Sequence, residues 1–426
     1  MLPSVRASNQ LAQLYWLERS VPRVPAIRGI EGEIGRALDA LALPSANFSG
    51  RSIAVTAGSR GIASFREAVR GICSWLKRQG AHPFVVPAMG SHGGATAAGQ
   101  RQILAGYGVT PDFIGAEVVA SMETVSLGRT PEGFETFMDR AAADAGGILV
   151  LNRIKPHTSF SGKIESGLLK MIAVGLGKAE GAREFHRLAR RHGWEPVLRA
   201  MADKAIGAGK VIAGVGLIEN QFHEVCSVRA ARAEAIPETE EEALLEARAL
   251  VPRFPFEKLD LLVVDEIGKN VSGTGMDTKV IGRGVALAAG EAPEIRLIYA
   301  RDLTAKSQGN ALGVGLADFI SERLYRRADL EKTYINVRTS LNFPLARLPM
   351  YFPNDRAAIE SALAALGGPG AATQRLAWIR NTQRLNCLLV SEAVADELRA
   401  SRDWRVLPEA YAMSFDADGN LISPLD

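Results

Sequence analysis

Short apolar runs alternate with amphipathic stretches along most of the chain, and this alternation predicts a parallel α/β architecture. Ile53–Thr56 predicts a short buried strand, AGSRG a turn, and Ser64–Arg78 an amphipathic helix closed by Gly80. Pro83–Ala88 (PFVVPA) predicts a second strand, and GSHGGAT then opens a helix near Ala97. A third run, Gly146–Leu151 (GGILVL), reads as a buried strand ending at a ligand-facing edge. Helices are predicted over Glu184–Arg191 and Trp194–Ala205, a strand over Val211–Ile218, and an acidic helix over 234–250. Residues 1–50 are mixed, with one amphipathic stretch at Ile30–Leu41.

VPRFPFEKLD, rich in proline and aromatic residues, reads as a linker, and the alternation restarts after it. Strands are predicted at Leu259–Asp265 and Ile295–Tyr299, separated by the loop EIGKNVSGTGMD. The expected fold is therefore two α/β domains with parallel-sheet cores and an active-site cleft between them. Residues 1–255 form the first and 256–404 the second, with 405–426 left open to rejoining the first. A chain of 426 residues is too long for one ordinary core, which supports that division.

Composition narrows the function classes. Hydrophobic residues at 47% and charged residues at 23% are globular values. A net charge of +3 argues against nucleic-acid binding by bulk electrostatics, so an anionic ligand would need a local cluster. Cys73, Cys226 and Cys387 are too scattered for a disulfide framework or a thiolate metal site. Neither a signal peptide nor an apolar run of ~18–20 residues is evident, so a cytoplasmic protein away from membranes is expected.

The chemistry concentrates between Asn152 and His186, where His157 and His186 share a Gly-rich window with Lys155, Lys163, Lys170 and Lys178. Arg60, His92 and His157 each follow a predicted strand, and parallel sheets gather such exits into one crevice. Arginine suits a carboxylate because its planar fork binds two oxygens, and histidine exchanges protons near neutral pH. No HExxH, paired CxxC or i, i+4 histidine pair occurs, so a metal held by one histidine would take its other ligands from a cofactor. Ser91, Gly93, Gly94 and Thr96 at the helix start are phosphate-site candidates, with a tight strand-to-helix turn as the alternative.

GSR at 58–60, MGSHGGAT at 89–96, KPHTSFSGKIESGLLKM at 155–171 and FH at 185–186 resemble the lactate racemase family, which carries a nickel-pincer nucleotide. The order Arg, His, His, Lys, His has the family's sequence, with spacings of 32, 65, 13 and 16 residues. The resemblance implies a racemase or epimerase of a 2-hydroxy acid, acting by reversible hydride transfer between C2 and the cofactor. Lys170 would carry the cofactor covalently, with Lys163 the alternative attachment residue, and His186 would ligate nickel. His92 and His157 would exchange the hydroxyl proton on either side of the substrate, with Arg60 binding it. Lys269, Asn270 and Lys279, after the first strand of the second domain, are candidates for further contacts. The resemblance also implies cofactor-synthesis and loading enzymes as partners, and leaves a homo-oligomer open. A C2 epimerase of sugar acids with the same cofactor, or a non-catalytic binder of organic anions or nucleotides, are the competing readings.

Overall fold

The apolar runs fold as the strands of two separate sheets, each in its own compact unit of a computed structural model. The structure describes residues 13–21, 24–59, 61–158, 160–284, 293–340, 342–367 and 373–425. One unit is Arg23–Val251; the other combines Met1–Pro22 with Pro252–Asp426. The boundary expected at 255 thus falls at Val251. The N-terminal strand lies in the second unit, against the expected assignment of 1–255, and the 405–426 segment, whose place was left open, lies there too.

Strand pairing explains that correction. Strand β1 (Gln13–Arg19) is followed by β2 (Ser52–Ala57), β3 (His82–Pro87), β4 (Glu117–Val118), the hairpin β5–β6 (Thr124–Arg129, Glu135–Asp139), β7 (Gly147–Arg153), β8 (Val211–Glu219) and β9 (Val225–Arg232). Strands β10 (Lys258–Ile267), β11 (Glu294–Leu303), β12 (Phe319–Ser321), β13 (Met350–Phe352), β14 (Leu376–Ile379), β15 (Cys387–Ser391) and β16 (Trp404–Ala412) complete the set. β1 lies between β15 and β16, antiparallel to both, so it belongs to the second sheet.

The first unit's sheet has the order β4-β3-β2-β7-β8-β9. Its first five strands are parallel and β9 alone is antiparallel, closing the β8 edge. Ile53, Val55, Val85, Leu149 and Leu151 are fully buried on one face, against Ile72 and Leu76 of the Phe65–Arg78 helix. Ile148 and Val150 point to the other face, into a core with Leu168, Ile172, Phe185 and Leu198. Burial of both faces is what the continuous apolar strands required. The second unit has the order β13-β12-β11-β10-β14-β15-β1-β16, parallel from β13 to β14 and antiparallel beyond. No helix among the described residues is long and apolar enough to cross a membrane.

Candidate active site

Parallel pairing puts the ends of β2, β3 and β7 along one edge of the first sheet, and the chemistry-bearing residues follow those ends. β2 leads into Gly58 and Ser59; Arg60 lies outside the described residues. β3 leads into Gly90, Ser91 and the exposed His92. The Ser59 hydroxyl hydrogen-bonds His92 Nδ1, joining the two exits, while Tyr107 Oη donates to the Ser59 carbonyl at 3.0 Å. That bond fixes the imidazole by its Nδ1 side.

The Gly-rich turn after His92 is shaped by packing. Thr96 caps the Ala97–Gly106 helix, accepting from Gly99 N at 3.1 Å and donating to Gly93 O at 3.0 Å. Gly93 has φ +68°, and a Cβ there would meet Gly99 and Gln100 backbone atoms at 2.6 Å. The close approach accounts for Gly93 and the cap for Thr96. Gly94 (φ +66°) has open space where a Cβ would project, and Ser91 is half-buried.

Behind this turn lies a fully buried ion pair. Lys178 Nζ sits 2.9 Å from Asp139 Oδ2, and both side chains are inaccessible to solvent. The ammonium also donates to the Pro87 carbonyl at the end of β3 and lies 3.4 Å from Gln100 Oε1. Gln100 Nε2 in turn donates to the carbonyls of Gly90 (2.9 Å) and His92 (3.3 Å). Burial lowers the lysine's pKa, opposed by Asp139. Lys178, one of the basic residues of the sequence window, is thus a strut under the His92 loop. Lys178→Met is expected to cost about 3–5 kcal/mol in denaturant unfolding, because Asp139 would be left buried without its countercharge. Adding Asp139→Asn, which keeps the cap on Ala142 N, should recover most of that loss.

β7 leads into a loop closed by a bridge between Lys155 and Ser166, with Lys155 N to Ser166 O at 2.9 Å. Buried Glu165 holds the loop from inside: it accepts from His157 N and pairs with Arg248 at 2.5 Å. Glu195 accepts from Lys163 N at 2.8 Å, leaving the Lys163 residue on the exposed side. Within the loop His157 stacks on Phe160 (centroids 4.3 Å apart), which stacks in parallel on Trp194 (5.2 Å, 2°). His186 meets the same Trp194 edge-on at 5.7 Å, and Lys170 Nζ lies 5.9 Å from the Phe160 ring centre. His157, Lys170 and His186, separated in sequence, therefore gather around one aromatic stack.

Lys170 ends a helical turn, Leu168–Lys170, that continues as a π-helix over Met171–Gly175. Such turns are rare and recur at functional sites. Gly175 is required there: a Cβ would sit 2.6 Å from the Ala88 carbonyl. The chain then re-enters α-helix over Lys178–His192, longer than the expected Glu184–Arg191, and this helix carries His186.

Burial, then the charges of Lys170 and Arg190, push the His186 pKa down to about 4. The ring is neutral near pH 7, the form that offers a lone pair to a metal. Its ordinary value is 6.5, so the unfolded chain takes up the proton first on acidification. Stability should fall as pH drops from about 6.5 towards 4, and His186→Phe should flatten that slope in denaturant titrations.

Among the described residues no group of three or more His, Cys, Asp or Glu gathers as a metal cage. The donor set of one neutral imidazole beside a half-buried amine and two aromatic walls fits a metal whose other ligands come with a tethered cofactor. Lys269 and Asn270 belong to the second unit, after β10. Lys269 N donates to Ser307 Oγ at 3.2 Å, and Asn270 Oδ1 accepts from Thr304 and Ser307, tying the β10 and β11 loops. Lys279 lines a cavity of about 490 Å³ in that unit with Arg253, Phe254, Lys258 and Glu294.

No family model matches the chain, and no curated protein matches it by sequence. Among solved structures it is similar to the lactate racemase apoprotein from Thermoanaerobacterium thermosaccharolyticum, with a TM-score of 0.50 at 11% identity over 92% of this chain and 96% of that one. It is also similar to a structural-genomics protein from Thermotoga maritima, with a TM-score of 0.51 at 13% identity over 76% and 83%. At such identities the likeness is one of fold, and it agrees with the resemblance carried by the motifs.

Proposed function

We propose that the protein is a racemase or epimerase of a 2-hydroxy acid that works with a nickel-pincer nucleotide held by Lys170 and His186. The observation that carries this reading is the convergence of His157, Lys170 and His186 on the Phe160–Trp194 stack, in a fold shared with a lactate racemase apoprotein. The amine of half-buried Lys170 would supply the tether, and the neutral His186 imidazole would supply a lone pair for the metal. When bound, the cofactor supplies a reversible hydride acceptor.

The chain's own residues do the rest. His92 and His157 leave neighbouring parts of the same sheet edge, with the β2 exit between them. With Nδ1 of His92 tied to Ser59, proton exchange with a substrate hydroxyl goes through Nε2. His157, its backbone clamped by Glu165 and its ring backed by Phe160, serves as the second proton carrier. Two bases are what inversion of a carbinol centre needs, since the proton must be taken on one side and returned on the other. Arg60 would hold the carboxylate.

The test is to co-express the chain with cofactor-synthesis enzymes, then measure intact mass, bound nickel and racemisation across chiral hydroxy acids and aldonates. A covalent mass increase, one nickel per chain and conversion of one enantiomer into the other are expected. A chain that stays unmodified and inert, yet is stabilised by organic anions, would overturn the reading in favour of a binding protein.

A further inference from the structure

Glu219 ends β8 on the sheet edge that carries the site, and the ladder to β9 shifts register between Ile218 and Glu219. Irregularities of this kind re-aim a side chain. The Glu219 side chain, only 8% exposed, reaches past β7 to the loop that follows β2. Its Oε1 accepts from Ala63 N at 2.9 Å, and its Oε2 pairs with Arg153 at the end of β7. The next residue steadies this mount. Buried Asn220 accepts from Phe222 N (2.9 Å) and Glu224 N (3.1 Å) through Oδ1, and its amide donates to the Val24 carbonyl at 2.8 Å.

The loop so held runs from Gly58 to Ser64. It enters the Phe65–Arg78 helix without a side-chain cap, through Ser64 in a left-handed conformation (φ +53°) that is strained for any residue but glycine. Its near end is Ser59, whose hydroxyl bonds His92 Nδ1 and whose carbonyl accepts from Tyr107 Oη. Its far end is fixed by buried Ile62 and by the bond from Ala63 to Glu219. The sequence puts Arg60 between these two anchors. Each oxygen of Glu219 thus has one task. Oε1 holds the loop, while Oε2 is neutralised by Arg153, which lets a carboxylate sit this deep.

We propose that Glu219 is a positioning residue for the Ser59–His92 pair: by holding the β2 exit loop at Ala63, it fixes where the Ser59 hydroxyl meets the imidazole. Its catalytic meaning rests on the racemase reading, in which His92, bonded to this loop, and Arg60, within it, address one substrate. The test does not need the cofactor. Full-length apoprotein carrying heavy nitrogen in its histidine rings is followed by proton–nitrogen NMR, which reports how each ring nitrogen is protonated and bonded. His92→Gln assigns the His92 signals, and Ser59→Ala supplies the signature of an imidazole released from Ser59. In Glu219→Ala the His92 signals are expected to move most of the way to that signature, with His186 unmoved. Arg153→Gln leaves the acceptor for Ala63 N in place and should keep the wild-type signals. A merely structural Glu219 would change stability and leave His92 of the folded protein as it was.

A folded Glu219→Ala with wild-type His92 signals overturns the proposal. So does an Arg153→Gln that reproduces the Glu219→Ala shift, or a Ser59→Ala that shifts nothing. Should Glu219→Ala fail to fold, Glu219→Leu combined with Arg153→Leu removes the ion pair as one, an exchange that is often neutral for stability. The same His92 shift is then expected, and its absence overturns the proposal. In cofactor-loaded protein, Glu219→Ala should keep adduct and nickel while kcat/KM falls on the order of a hundred-fold. A His92 shift in a chain that never acquires the adduct would sustain the hold at Ala63 and refute the racemase reading. An unshifted His92 with normal adduct would do the reverse.

Discussion

Lys170→Ala should yield a folded protein without covalent adduct, with racemisation lowered to the uncatalysed background, a drop of at least about a million-fold if the wild type reaches the usual range of enzymes. The lysine projects from a turn fixed at Leu169 by Glu240, and its amine reaches the Phe160 ring that also backs His157. Lys163→Ala should retain both adduct and turnover, because Lys163 is exposed and only its backbone N–H is fastened, to Glu195. Intact mass, nickel content and a chiral assay on the two variants read this directly. An adduct that persists in Lys170→Ala and vanishes in Lys163→Ala would exchange the two roles.

A comparably large effect on stability is expected in the second unit. Arg301, on β11, lies between Asp265 of β10 and Asp355, with Nη2 2.7 Å from Asp355 Oδ2 and Nη1 on Asp265. The same carboxylates take Trp378 Nε1 (2.6 Å), the Tyr299 hydroxyl, Leu421 N (2.7 Å) and Ser423 Oγ. Burial works to raise the Asp355 pKa, but Arg301, the Tyr299 hydroxyl and Arg323 outweigh it and hold the carboxyl below its ordinary 3.8. Its stabilisation is therefore complete above about pH 4 and fades as pH falls further. Arg301→Ala would leave buried Asp265 without its cation and Asp355 with Arg323 alone, at a cost of about 3–5 kcal/mol measured by chemical unfolding. Arg301→Lys should rescue little, since an ammonium cannot span both carboxylates as the guanidinium fork does.

Legibility followed the reach of the interactions. The runs IAVT, FVVP, GILVL and VIAGVGLI announced β2, β3, β7 and β8 because both faces of each are buried, and their parallel order placed the site at their ends. The QLYWLER strand carried no such signal. Only Leu14 and Leu17 are fully buried in it, a register shift between Tyr15 and Leu17 breaks the alternation, and its partners lie beyond residue 386. The β5–β6 hairpin is half exposed and similarly silent in the sequence. Among side chains, His157, Lys170 and His186 lay in a Gly- and Lys-rich window, and the resemblance to the lactate racemase family singled them out. Glu240 did not, since a glutamate inside EEEALLE reads as a surface charge until the fold turns it inward. Lys178 misled in the opposite sense: its place in a basic window suggested ligand chemistry, and the fold gives its charge to Asp139.

The insertion of β1 between β15 and β16 has a bearing on biosynthesis. Residues 13–19 leave the ribosome long before 387–412 exist, so Leu14 and Leu17 must wait, without their sheet, through translation of the whole intervening Arg23–Val251 unit. That unit holds all its own strands and can close early, whereas the other sheet is sealed among the last events. Ribosome-stalled chains ending near residue 255 should accordingly show a protease-resistant Arg23–Val251 core with its leading segment still digestible.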